Sequence, residues 1–267
     1  MKALGLAFLC FLCAGSALAE THCQRPAEGK NLVLVYYTGT KSDDTVPMEN
    51  AVPFEVYNSD FGLSTIYVRP GEITQALFDQ AALFILPGGE DAKDLRDVPS
   101  EQERTLLRTF LKNGGKFFGA CLGGYWAAKE GSWPGKVPGF KTLDLLPAGV
   151  SAHSQTPEER LEPTLWRDQS LHHPYFQDGP AFSIDRPEVT TVYARHASNQ
   201  SVTTFAADFA GNYRNIMVSG VHWEAPPSWY KDIKGGDVEP GHVSYQYDLF
   251  ADLLCYQPKQ KSALPHF

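Results

Sequence analysis

The chain has 267 residues, 43% of them hydrophobic and 20% charged, with 23 basic against 31 acidic side chains and a formal net charge of −8. That acidic balance argues against nucleic acid or an anionic membrane surface as partner. The length fits one large α/β domain, read here as residues 20–267.

The N-terminus starts with Lys2 and an apolar run, Ala3 to Cys13, that is too short to span a bilayer. Ala17-Leu18-Ala19 then supplies small residues where a signal peptidase reads, so residues 1–19 are expected to be a secretory signal cleaved before Glu20. A secreted or periplasmic location follows from that expectation. Removing Lys2 with the signal leaves 22 basic against 31 acidic residues. No other stretch is long and apolar enough for a membrane span.

Cys10 and Cys13 leave with the signal, and the mature chain keeps Cys23, Cys121 and Cys255. Cys23 and Cys255 lie near the two mature termini, which are often close in space. A Cys23–Cys255 bridge in an oxidising compartment is one reading; three unrelated cysteines is the other.

Asn31 to Tyr37 is a continuous β-prone run, the mark of a strand buried on both faces of a parallel sheet. Glu72 to Gln80 reads as a short helix, and Ala82 to Leu86 as a second buried strand stopped by Pro87-Gly88-Gly89. Ser100 and Glu103 form a capping-box signature ahead of Leu106, Leu107, Phe110 and Leu111 at helical spacing, and Asn113-Gly114-Gly115 ends that helix. Lys116 to Ala120 is the next strand. This alternation predicts an α/β fold with a mainly parallel sheet covered on both faces. Right-handed crossovers would gather the loops after Tyr37, Leu86 and Ala120 along one edge, where ligands bind in such sheets.

Residues 131–187 are rich in proline and turn residues and read as a less regular insertion or β-rich excursion. Strands return at Val189 to Ala194, Val202 to Ala206 and Ile216 to Val221, and a final helix is expected over Tyr245 to Leu254.

The chemistry centres on Gly119-Ala120-Cys121-Leu122-Gly123-Gly124-Tyr125, a cysteine among small residues between a strand and a helix. Such a turn exposes a nucleophile, glycines allow close approach, and the helix N-terminus favours the reactive thiolate. A cysteine nucleophile needs a base and a group to orient it. His222 and Glu224 stand two apart at the predicted end of the late strand, spacing that would put both on one side. Oxyanion donors are expected from the amide of Leu122 and from Gly88 or Gly89, where glycine would permit unusual backbone angles. Glu90 and Tyr125 are candidate substrate contacts. Arg195-His196 and His172-His173 show no metal-ligand spacing, so no metal site is read. There is no serine elbow, phosphate-binding loop or dinucleotide fingerprint, and no cofactor is called for.

Leu86-Pro87-Gly88-Gly89, Gly119 to Gly124 and Gly220-Val221-His222-Trp223-Glu224, in that order, resemble the class I glutamine amidotransferase-like superfamily. With Tyr37-Thr38-Gly39-Thr40, Glu90-Asp91 and Tyr125 added, the pattern is more similar still to the amidotransferase-like N-terminal domain of biotin-protein ligases. The resemblance implies a three-layer, flavodoxin-like α/β/α fold and a Cys121, His222, Glu224 triad acting on an amide. It does not imply glutamine, because Gly124-Tyr125 stands where glutaminases usually carry His-Gln or a similar pair. A hydrolase of amide or γ-glutamyl-type bonds is the leading expectation. A γ-glutamyl hydrolase-like peptidase and a non-catalytic binding module on the same scaffold are the alternatives. The expected partner is a small-molecule or peptide amide, with a protein partner left open.

Overall fold

The computed structural model describes residues 23–37, 50–89, 99–129, 141–153, 158–231, 233 and 242–262. Expectations on the signal segment, on Thr38 to Thr40 and on Glu90 and Asp91 lie outside the described residues.

The first half builds a parallel sheet. Strand β1 (Leu32–Tyr36) is followed by helix α1 (Pro53–Asp60), β2 (Ser64–Val68), α2 (Gln75–Gln80), β3 (Ala81–Leu86), α3 (Glu101–Lys112), β4 (Lys116–Ala120) and α4 (Leu122–Ala127). The second half adds β5 (Ala148–Ala152), β6 (Arg160–Leu161), β7 (Thr164–Trp166), β8 (Leu171–His172), β9 (Tyr175–Phe176), β10 (Pro180–Ile184), β11 (Thr190–His196), β12 (Val202–Phe209), β13 (Asn212–Ser219) and α5 (His242–Leu254).

The main sheet runs β2-β1-β3-β4-β13-β12-β11-β7-β8, with β10 and β5 branching from β12. From β2 to β13 every pairing is parallel, and beyond β13 every pairing is antiparallel. β6 and β9 form a separate two-stranded ribbon. In β1, Leu34 and Tyr36 face one core, while Val33 and Val35 face the other. The first core includes Phe78 of α2, Leu107 and Phe110 of α3 and Trp126 of α4. The second includes Phe54 and Tyr57 of α1 and Leu249, Phe250 and Leu253 of α5. This is a three-layer α/β/α arrangement with a mainly parallel centre, and β3 and β4 are buried along their whole length.

Local signals explain the helix ends. Ser100 caps α3, accepting from the Glu103 amide while Glu103 Oε2 accepts from the Ser100 amide at 2.8 Å. Thr74 caps α2, so that helix begins at Gln75 rather than at Glu72. The last helix begins at His242, a turn earlier than its apolar pattern suggests.

The stretch 131–187 is β-rich where described, contributing β5 to β10. No helix among the described residues is long and apolar enough to cross a membrane. Cys23 and Cys255 are joined in a disulfide, with Cα atoms 5.7 Å apart, that ties the start of the described chain to the end of α5.

Candidate active site

The parallel registers align the carboxyl ends of β3, β4 and β13, with Leu86 beside Gly119 and Ser219 beside Ala120. Cys121 leaves β4 at this edge. Its amide donates to Ser219 O at 2.8 Å, and its carbonyl accepts from Gly124 and Tyr125 as α4 begins. The turn forces φ 47° and ψ −105° on a residue with a Cβ, a conformation that costs about 1–3 kcal/mol and persists only where its surroundings over-determine it. Cys121 is a free thiol and is partly exposed.

The two glycines after it serve packing. A Cβ on Gly123 would lie 2.0 Å from Leu86 O, so only glycine lets α4 seat against β3 at this depth. A Cβ on Gly124 would press on Phe182 and Pro180 at 3.0 and 3.1 Å.

His222 and Glu224 come to the same edge by a route other than the expected strand. β13 ends at Ser219, and both residues follow in a turn. What fixes His222 is an isolated antiparallel bridge to Tyr175, in which its amide donates to Tyr175 O at 2.9 Å. The turn then brings Glu224 Oε1 within 2.8 Å of His222 Nδ1, and both side chains are buried. Burial alone would push the imidazole toward neutrality. The Glu224 charge, a hydrogen bond with the Cys121 side chain and the hydrogen bond to Glu224 outweigh it, and the His222 pKa is pushed up to about 10. His222 therefore holds its proton at neutral pH.

Gly88 lies against this imidazole. Its φ is not in the left-handed region, so the expectation that glycine supplies an unusual backbone angle here is corrected. The reason for glycine is space: a Cβ would sit 2.9 Å from His222 Cε1 and 2.6 Å from Asn50 Oδ1. Gly89 adjoins it as the last described residue after β3, and Leu122 opens α4 with its side chain buried. The Tyr125 ring is buried and its hydroxyl donates to Asp178 O at 3.1 Å, so it anchors a neighbouring loop. Glu90 lies outside the described residues.

That neighbouring loop is what sequence reasoning missed. Cys121 Sγ donates to Gln177 O at 3.5 Å. The rings of Tyr175 and Trp229 meet His222 edge-to-face at 5.7 and 5.3 Å, and the Tyr175 amide donates to the Tyr230 hydroxyl. Asp178-Gly179-Pro180 is a turn signal legible in the sequence, but it carries no information on which strand edge the turn approaches.

Comparisons with known proteins agree with this architecture. The family described as Biotin-protein ligase, N terminal, matches residues 65–145. No curated protein matches the sequence. Among solved structures, a glutamine amidotransferase is 19% identical, with 81% of this chain and 97% of that chain covered and a TM-score of 0.55. PurLQS from Thermotoga maritima is 14% identical, covering 85% and 98% with a TM-score of 0.55. A glutamine amido transferase from Methylobacillus flagellatus is 13% identical, covering 89% and 99% with a TM-score of 0.53. At these identities the structural likeness concerns the fold. The chain thus has a class I glutamine amidotransferase-like fold and, over residues 65–145, the pattern of the biotin-protein ligase N-terminal family.

Proposed function

We propose that the protein is a cysteine-dependent hydrolase of amide or γ-glutamyl-type bonds. The observation that carries this reading is one run of contacts: Cys121 in a strained turn, a protonated His222 beside it, and Glu224 holding the far side of the imidazole. Backbone strain at Cys121 and burial of the His222–Glu224 pair cost stability, and such costs concentrate at functional sites.

In this reading the Cys121 sulfur attacks the amide carbon, forming a C–S bond. His222 gives its proton to the leaving nitrogen as the C–N bond breaks, and the amine departs. A water then attacks the thioester, His222 takes its proton, and the C–S bond breaks to release the carboxylic acid and restore the thiolate beside the protonated His222. Glu224 keeps the Nδ1 proton in place and balances the imidazolium. The Leu122 amide, with an amide of the Gly88-Gly89 loop, would hold the oxyanion. No metal or cofactor enters these steps.

Secretion belongs to the same reading, supported by the N-terminal apolar run and by a disulfide of the kind oxidising compartments permit. The test is turnover of a panel of primary amides, γ-glutamyl peptides and poly-γ-glutamate by the wild type and Cys121→Ala. The expected result is loss of at least about a thousandfold in rate with the variant, and an acyl adduct on Cys121 by intact mass in the wild type. Equal turnover by both proteins removes the proposal.

The Gln177 carbonyl against Sγ favours a second reading, a binding module in which the thiol is capped and does no chemistry. Alkylation by iodoacetamide separates the two: the hydrolase reading expects fast modification of Cys121 at neutral pH, the module an ordinary thiol.

A further inference from the structure

The geometry points to a second site, in the antiparallel half: His153, Glu162 and His196 form a binding site for one divalent metal ion of the Zn2+ class. One ligand atom from each of the three residues lies within 4.8 Å of the others. His153 Nε2 is 2.9 Å and His196 Nδ1 3.1 Å from the same carboxylate oxygen, Glu162 Oε1. Atoms bound at roughly 2.0–2.2 Å to a common tetrahedral ion stand about 3.3–3.5 Å apart, so the two nitrogen–oxygen spacings fall short by only a few tenths of an ångström, and turning the rings would make three corners of a coordination sphere, the fourth left for one enclosed water.

The residues come from separate elements. His153 follows β5, Glu162 follows β6, and His196 ends β11. Glu162 and His196 are buried, and the side chain of His153 is only 7% exposed. The two imidazoles lie flat against each other, with centroids 3.4 Å apart and planes within 4°, so their in-plane lone pairs run parallel, and each ring must turn about its Cβ–Cγ bond for the two to converge on one ion. The outer nitrogens, His153 Nδ1 and His196 Nε2, have no hydrogen-bond partner among the described residues. No described residue donates to the outer positions, and with its proton there each ring offers its inner lone pair to an ion.

The carboxylate is oriented as a ligand needs to be. Arg160 Nε donates to Glu162 Oε2 at 2.9 Å, leaving Oε1 for the cluster, and the guanidinium is itself stacked over Phe176 at 4.2 Å. Such outer contacts fix ligating carboxylates. Two imidazoles and one carboxylate suit Zn2+ rather than Ca2+ or Mg2+, which prefer oxygen sets.

The position gives the site a consequence. Phe176 packs edge-to-face against both imidazoles at 5.6 and 5.8 Å, and belongs to β9, whose register pairs it with Arg160 of β6. Its neighbours Tyr175 and Gln177 are the residues that meet His222 and Cys121. A metal here would pin the β6–β9 ribbon that lines the first site, without touching the sulfur.

The site is tested in the full-length Cys121→Ala protein, which removes a Cys-His pair as a competing ligand set. After chelator treatment and dialysis it is titrated with Zn2+ and Co2+, following metal per chain by elemental analysis, Co2+ absorption in the visible and thermal midpoint. The expected result is one equivalent of Zn2+, visible Co2+ bands and a raised midpoint. Glu162→Gln and His196→Ala in the same background should lose binding by more than about tenfold. If His196→Ala does not fold, judged by near-ultraviolet circular dichroism, His153→Ala at the rim replaces it. No uptake by Cys121→Ala at micromolar metal, or uptake that Glu162→Gln and the folded histidine variant leave unchanged, overturns the site. Uptake seen only when Cys121 is present assigns the ion to the thiol and also overturns it.

Discussion

Two buried carboxylates in this molecule hold histidines, and they do so in opposite ways. Glu224 serves one imidazole, whose environment also includes the partly exposed sulfur of Cys121. Glu162 serves two imidazoles and an arginine around a closed, nearly solvent-free point. The first arrangement is a line, with the carboxylate on one side of the imidazole and the Cys121 side chain in hydrogen-bonding contact with it. The second is a convergence, with no nucleophile and nothing to pass a proton to. A carboxylate–histidine pair therefore does not define chemistry; what stands on the far side of the ring does.

The sharpest way to break that contrast is to remove one imidazole from each. His222→Gln should slow iodoacetamide modification of Cys121 at pH 6.5 by about tenfold or more, because the thiol loses its positive neighbour. His196→Gln should leave that rate within about twofold, since His196 reaches the sulfur only through the β6–β9 ribbon. Matching losses would mean that both clusters act through the ribbon, and the line of charge would be the wrong description.

Next in size is the packing that makes the line possible. Gly123→Ala puts a methyl 2.0 Å from Leu86 O, and neither backbone can yield without moving the turn. The expected cost is about 3 kcal/mol, at the upper end for overpacked sites, read as a lower urea midpoint at unchanged slope. A loss below about 1 kcal/mol would show that α4 is seated more loosely than its glycines suggest.

The same two halves differ in how far residues alone reveal them. Continuous apolar runs such as Leu83 to Leu86 can only be buried on both faces, and the Ser100/Glu103 box has one meaning, so β1, β3, α3, β4 and the Cys121 turn were legible to within a residue or two, whereas α1 and β2 were not read at all and α2 starts three residues after the expected Glu72. Cys121 could be singled out because a strand, a small-residue turn and a helix start leave few other uses for a cysteine. The ribbon could not: β6, β8 and β9 are two residues each, too short for any alternation to register. His196 ends the strand expected over Val189 to Ala194, but β5 and β6, beside His153 and Glu162, carry no local signal, so the spacing of the three in the chain says nothing. The placement of His222 was legible only in outcome. The strand-end argument put it on the correct edge, but its anchor is the bridge to Tyr175.

Charge gives the third comparison. Raising the His222 pKa from its usual value to about 10 means that the folded state holds a proton the unfolded chain releases near pH 6.5. The associated stability is fully present below about pH 6.5, and it falls as pH rises toward about 10. Glu224→Gln removes the largest interaction that raises this pKa, so stability should drop by about 2 kcal/mol at pH 6, the scale of a hydrogen bond to a charged group. The difference from the wild type should shrink as pH approaches 10. Paired urea melts at pH 6, 8 and 10 measure it. A difference that is constant across that range would mean His222 is not the titrating group.

The smallest effect tests the line at its tightest lateral contact. Gly88→Ala would bring a methyl to 2.9 Å from His222 Cε1 and 2.6 Å from Asn50 Oδ1. The ring can tilt by a few tenths of an ångström to relieve it, so stability should change by less than about 1 kcal/mol. Tilting moves the imidazole off the axis joining Glu224 to the sulfur, and misplacement of reacting groups by less than an ångström lowers rates on the order of severalfold. Alkylation of Cys121 should therefore slow by about threefold while the urea midpoint hardly moves. The equivalent crowding at the second cluster should leave Cys121 alone, because its two rings are clamped by Phe176 and by each other. If Gly88→Ala alters stability and leaves the thiol unaffected, the loop after β3 supports the fold and takes no part in aligning the histidine.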